Sequence, residues 1–569
     1  MLRLAEYLHP VSKGDPVVLT TNDCLTISEI VLVARDLESV DLDPSLIETI
    51  RSNREKLEKQ LSDGKTYYGI NSGFGSLATC SLPASQAQQL SRNLITSHSI
   101  GVGPSFPPDV VRAAMLIRLK SLSWGHSGVR PQVLETFASA LNAKIYPFVP
   151  SQGSLGACGD LAPLSHLALA FTRHPGDSDD GAFWHPAHAD VFNAHGAPSA
   201  ELHLTRDYVS NRQRIWRKVS AEQMLGDDRL ILESKEGLAL NNGATFSAAL
   251  GALLSHDMMR LLATDAPAAL AIALEAVEGV RDSFLSPVVA LRPHPGSIKF
   301  SERMTSLLQD SKAVSGSLTE DPARIPPQEP YSIRCATAAF GGFWSAHKML
   351  KQAIKIEINS VTYNPLFFPD RAYGVERDYA VLSGGNFHGD PIAIPLDSAS
   401  LALTKLGSLM ERLIFKLTDW PARGLPPFLI GAKEVGLNSG LMIPQYTAAS
   451  LVNECQTLCH PASANSIPSS ANQEDYVSMS MNAAKNATQI RENVEKIIAL
   501  ALFNACQAID VASHQPRERM ATRTRRVYNL IRKTVPPVSS DRVMAQDIDS
   551  ILVLMRSDQI WKAISDEPQ

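Results

Sequence analysis

What this 569-residue sequence lacks narrows its possibilities early. Cysteine is sparse: seven residues, an odd number, scattered at 24, 80, 158, 335, 455, 459 and 506. That excludes a disulfide framework and fits a reducing compartment, so a cytoplasmic setting is expected. Long apolar runs are missing. The richest, Gly243–Leu254, runs into His256 and Asp257, well short of a membrane span. The opening MLRLAEYLHP has no apolar core of signal-peptide length. The sequon Asn486-Ala487-Thr488 is therefore expected to stay unglycosylated. Charge of one sign is also missing: 53 basic residues against 58 acidic ones leave a net −5. Neither nucleic acid nor an anionic membrane is implied as a partner. Strand-like alternation is scarce, and no repeat or low-complexity tract stands out.

What is present is helical and apolar. With 44% hydrophobic residues there is ample material for a large core. Leu403, Leu406, Met410, Leu413 and Leu417 recur at 3-4-3-4 spacing, as do Ala487, Ile490, Val494, Ile497 and Ala501. Each stripe buries one face of a long helix. The expected class is mostly α, built on a bundle of long helices. We divide the chain into an N-terminal domain (1–230), a long-helix bundle (231–514) and a C-terminal helical tail (515–569). The tail opens with the basic cluster Arg517–Arg526, expected on a solvated or subunit-facing helix surface. Residues 174–205 are polar, rich in breakers and carry His174, His185, His188, His195 and His203. They read as an exposed excursion; without a carboxylate or cysteine set at ligand spacing, no metal site is assigned.

Polar residues gather in short segments set among apolar helices, and buried polar groups must either pair or do chemistry. The densest is GSLGACGDLAPLSH, Gly153–His166. Its glycines allow backbone that other residues resist. Gly159 has no Cβ, so its nitrogen can approach the Ala157 carbonyl. Asp160 is placed to cap a helix starting near Leu161, with Pro163 tolerated in the first turn. The remaining segments are Tyr67–Gly75, Ser97-His98, Asn241-Asn242-Gly243, PPQEPYSIRC with Gln328, Tyr331 and Arg334, EINSVTYNPL, SGGNFHGDP, and a last one holding Glu454 and Gln473. Taken singly each is weak; His98 alone reads as a satisfied core histidine, and Cys455, Cys459 and His460 lack a fourth metal ligand.

In that order, from about Tyr67 to Ser480, the segments resemble the aromatic amino-acid ammonia-lyase and aminomutase family, its histidine-type members above all. The family motif Gly-Ser-x-Gly-Ala-Ser-Gly-Asp-Leu-Ala-Pro-Leu reads GSLGACGDLAPL here. The resemblance implies a fumarase/aspartase-like long-helix fold, a homotetramer with sites built from more than one subunit, and elimination of ammonia from histidine or a close imidazole analogue. It implies an electrophilic methylidene-imidazolone (MIO) formed autocatalytically from Ala157, Cys158 and Gly159. Tyr68 matches the base, Arg334 the carboxylate clamp, Asn242 and Tyr331 supports of the ring and amine, Gln328 and Phe387 pocket residues, and Glu454 a second acid. Ser97-His98 and QEDYVSM lean toward an imidazole substrate.

Cys158 stands where the family has serine. Loss of hydrogen sulfide instead of water would leave the same methylidene. Alternatively, a substrate with a quaternary amine, such as an N-trimethylated histidine derivative, already has a good leaving group and needs no ring. Tyr363 replaces an aspartate of the family's Thr-Asp-Asn-Pro, Tyr476 a histidine, Asn241 a leucine, and Ala336-Thr337-Ala338 the usual Gln-Pro-Gln. A 2,3-aminomutase and an inactive homologue serving as scaffold stay open as further readings.

Overall fold

The computed structural model describes residues 14–62, 66–73, 77, 79–176, 180–186, 202–206, 213–315, 328–369, 381–419, 423–431 and 436–565. The two apolar stripes lie on the two longest helices, Asp390–Thr418 and Ser480–Val511. Every stripe residue is at most 1% exposed, and the two helices pack along each other. A fully buried leucine in such a seam is worth about 1.5–3 kcal/mol. Gly407 allows the close approach: a Cβ there would stand 3.2 Å from both Val494 and Ile497. The helices Thr245–Arg260, Ala266–Ala276, Ala336–Glu357 and Met442–Leu458 pack around this pair. The chain is mostly α, as expected. Among the described residues, no helix is long and apolar enough to cross a membrane.

Several charges buried in this bundle are paired. Arg35 grips Asp257 through two nitrogens, at 2.6 and 3.0 Å. Glu495 is held by Arg260, Arg491 and Arg556, and these cations keep its carboxyl down at about 2 against the opposing effect of burial. Losing one partner of such a network would strand a charge in the core. The basic cluster Arg517–Arg526 leads into the helix Thr522–Thr534, which buries Thr524, Val527, Tyr528 and Ile531.

One expectation is corrected. Residues 174–205 are not wholly an irregular excursion. Ala182–Pro186 and Leu202–Arg206 are strands, joined with Tyr146–Pro147 and Gln213–Ser220 in a four-stranded antiparallel sheet. Phe183 and Trp184 are buried in it. The Trp184 indole donates to Ser105 Oγ at 3.0 Å. His188 and His195 lie outside the described residues. Among the described residues no group of side chains is arranged to hold a metal.

Candidate active site

The loop 153–160 earns its glycines. Gly153, Gly156 and Gly159 all have positive φ, at +97°, +128° and +74°. At Gly159 a Cβ would stand 2.7 Å from Ser480 Oγ. The loop thus abuts the start of the Ser480–Val511 helix, with no room for a side chain. The helix after it runs Leu161–Phe171, as the sequence suggests. Asp160 sits at its N-cap position, but its carboxylate does not cap it. It accepts instead from the backbone N–H and hydroxyl of Ser247, at 3.1 and 2.9 Å. Ser247 lies in the first turn of Thr245–Arg260, so Asp160 satisfies a different helix from the expected one. Burial nevertheless pushes its carboxyl up to about 7.

Around the Ala157-Cys158-Gly159 tripeptide, polar groups converge from distant segments. The Ala157 carbonyl accepts the Gly389 backbone N–H at 2.9 Å and the Ser478 hydroxyl at 3.0 Å. Ser480 Oγ donates to the Cys158 carbonyl at 3.4 Å. The Asp160 N–H donates to Cys158 Sγ at 3.4 Å. Cys158 is 2% exposed, and burial, then Asp160, push its thiol up to about 11. It is a neutral thiol at neutral pH, which removes thiolate attack from its repertoire.

A cavity of about 470 Å³ opens over Ala157 and Cys158. Tyr68, Leu161, Leu238, Asn242, Asn364, Ser383, Gly384, Phe387, Gln473 and Glu474 complete its wall. Asn242 Oδ1 accepts the Asn364 N–H at 2.9 Å, and Asn364 Oδ1 accepts the Gly384 N–H at 2.8 Å. This chain of amides ties three wall segments into one frame. Gln473 and Glu474 arrive through three successive left-handed residues, Ser470, Ala471 and Asn472, with φ of 50°, 51° and 64°. Such backbone is costly for residues with a Cβ and is held here by the Ser469–Glu474 pairing. Ser469 Oγ also donates to Glu474 Oε2 at 3.2 Å. His98, at the end of the helix Ala87–His98, is half-buried beside Ser97. Burial holds its imidazole below the usual value, partly offset by the Leu94 carbonyl and by Glu474.

Of the residues singled out in the sequence, Tyr68, Ala157, Cys158, Asn242, Phe387 and Gln473 meet in this cavity. Gly159 lies in the same loop, and His98 comes within the electrostatic reach of Glu474. Gln328 and Arg334 do not join them; they line a separate cavity of about 410 Å³. Tyr331 is 69% exposed, with the Arg334 guanidinium 4.8 Å from its ring centroid. Arg334 Nε is buried without an acceptor among the described residues. Glu454 is also apart. It lies on the exposed side of Met442–Leu458 and accepts from Asn493 at 3.0 Å. The acid within the cavity is Glu474, which sequence reasoning passed over although the QEDY run was in view.

The tripeptide suits a backbone cyclisation. The carbonyl to be attacked is polarised by two donors, the attacking residue lacks a Cβ, and the sulfur to be lost is held by an N–H. The residues present therefore fit the methylidene-imidazolone.

A family model for aromatic amino acid lyases matches residues 25–533. A histidine ammonia-lyase from Caldanaerobacter subterraneus subsp. tengcongensis is 38% identical over 551 residues, covering 97% of this chain and 98% of its own. Among solved structures, a histidine ammonia-lyase from Trypanosoma cruzi superposes with a TM-score of 0.80 at 34% identity, covering 97% of this chain and 95% of its own. A tyrosine aminomutase from Streptomyces globisporus gives 0.84 at 31% identity, covering 97% and 100%. With a cavity built around the glycine loop and matches running nearly end to end, the chain belongs to the aromatic amino acid lyase family and is a carbon–nitrogen lyase.

Proposed function

We propose that this lyase eliminates ammonia from L-histidine or a close imidazole analogue, in the cytoplasm, as a homotetramer. The observation that carries the substrate is Glu474 in the wall of the Cys158 cavity, with the His98 imidazole within its electrostatic reach. A carboxylate in the cavity wall can accept a substrate ring N–H, and an imidazole in the same field can offer the complementary group. Cys24, Cys80, Cys335, Cys455, Cys459 and Cys506, none of them in a disulfide, support the cytoplasmic setting.

When formed, the methylidene-imidazolone supplies the electrophile that makes the amine a competent leaving group. This chain's residues do the rest. Tyr68 lies in the cavity wall and takes the proton from the carbon β to the carboxylate. Asn242, fixed by Asn364, orients the amine. Phe387 lines the same cavity and offers an apolar face to the substrate ring. The carboxylate clamp is Arg334, whose guanidinium can pair both oxygens. Arg334, Tyr331 and Gln328 stand apart from this cavity, and this supports a site completed by those residues of a neighbouring subunit.

The test is turnover with a shared-site control. L-Histidine should yield a conjugated imidazole acrylate detectable by absorbance. Tyr68→Phe and Arg334→Ala should each be inactive alone and regain part of the activity when coexpressed. No recovery on coexpression would remove the shared site. Silence on histidine, with turnover of an N-trimethylated analogue, would favour the ring-free lyase.

A further inference from the structure

The two groups on the Ala157 carbonyl come from two loops, 383–389 and 469–479. At the outer edge those loops are fastened by side chains that do not line the cavity. The rings of His388 and Tyr476 stack almost parallel, with centroids 5.4 Å apart and planes 6° apart. Asp390 reaches both: its carboxylate is 3.6 Å from His388 Nδ1, and it accepts a hydrogen bond from the Tyr476 hydroxyl. The Asp390 N–H also lies 3.4 Å from His388 Nδ1. His388 Nε2 lies 3.4 Å from the Tyr476 carbonyl. His388 and Asp390 flank Gly389, whose N–H is on Ala157. Tyr476 precedes Ser478, whose hydroxyl is on Ala157, by two residues. There is no slack at Gly389, where a Cβ would stand 2.8 Å from Ser478 Oγ.

We propose that His388, Tyr476 and Asp390 form a clamp that holds the Gly389 N–H and the Ser478 hydroxyl together on the Ala157 carbonyl and so sets the rate at which the tripeptide cyclises. The three are positioning residues; none of them lines the cavity. The inference rests on the reading that Cys158 matures. In that step the Gly159 nitrogen bonds to the Ala157 carbonyl carbon, and the carbonyl oxygen leaves as water with the amide hydrogens of Gly159 and Cys158, so that a double bond forms between that carbon and the Cys158 nitrogen. The Cα–H and Cβ–S bonds of Cys158 break, hydrogen sulfide departs, and an exocyclic double bond remains. No oxidant or reductant is needed. Two donors aligned on one oxygen stabilise the negative charge that develops there as nitrogen adds, and misaligned donors do not.

The experiment follows the mass of freshly synthesised full-length chain over time and, separately, turnover per matured chain. Tyr476→Ala should slow the combined loss of water and hydrogen sulfide about tenfold, with turnover per matured chain within about twofold of wild type. Tyr476→Phe keeps the stack and loses only the hydroxyl, so its slowing should be smaller. Tyr476→His keeps a ring and a donor and should restore most of the rate. Tyr476 is 61% exposed, so these variants should keep the wild-type circular dichroism. A Tyr476→Ala chain that matures at the wild-type rate overturns the clamp alone. A wild-type chain that never loses mass overturns the ring, and the clamp with it.

Discussion

Ser478 donates its hydroxyl to the carbonyl of Ala157, 321 residues earlier in the chain, at 3.0 Å. This bond joins the N-terminal glycine loop to the segment that enters the longest helix. It also polarises the carbon at which the tripeptide would close. Removing it in Ser478→Ala should cost one hydrogen bond in the closing step, about 0.5–1.5 kcal/mol or up to about tenfold in rate. Intact mass against time reads this directly. Unchanged maturation would mean that Gly389 alone suffices.

The acid of the site is the second expectation. Glu474→Gln should lower kcat/KM for histidine by roughly a hundredfold, without affecting the mass lost on maturation. Glu454→Gln should stay within about threefold of wild type. The reverse ranking would return the role to the carboxylate on Met442–Leu458. Steady-state kinetics on both variants decides it.

Much of this was legible beforehand, for identifiable reasons. The helical stripes needed only the 3.6-residue period, and each stripe residue is buried. The glycine loop announced itself by composition. The Glu474 position was not legible, because three left-handed residues without glycine turn the chain into the cavity, and no propensity predicts that. Asp160 was expected to cap its own helix, because capping is a local rule. Its partner, Ser247, is brought in only by tertiary packing. The small sheet was missed for the same reason: Ala182–Pro186 pairs with Gln213–Ser220, and its strands are separated by long polar stretches.

Below the loop, Glu357 gives a pH-dependent expectation. Burial first, then Asp160, push its carboxyl up to about 7, and Glu357 Oε1 is buried without a hydrogen-bond donor. Its folded value exceeds its unfolded value of about 4.3. The folded state therefore keeps a proton that the unfolded chain has already lost. That contribution is full below about pH 4 and is lost as pH rises through about 7. Glu357→Gln removes it, so Tm of the variant minus Tm of wild type should be more positive at pH 8 than at pH 5. A pH-independent difference would show that the carboxyl ionises normally in the fold.

The most direct measurement is the intact mass of the purified chain. If the glycine loop, its two carbonyl donors and the neutral thiol exist to build an electrophile, the chain should be lighter than its sequence by one water and one hydrogen sulfide. Cys158→Ser should be lighter by two waters, and Cys158→Ala should keep its full mass and lose turnover of histidine. A wild-type chain of unmodified mass that still deaminates histidine would contradict the account.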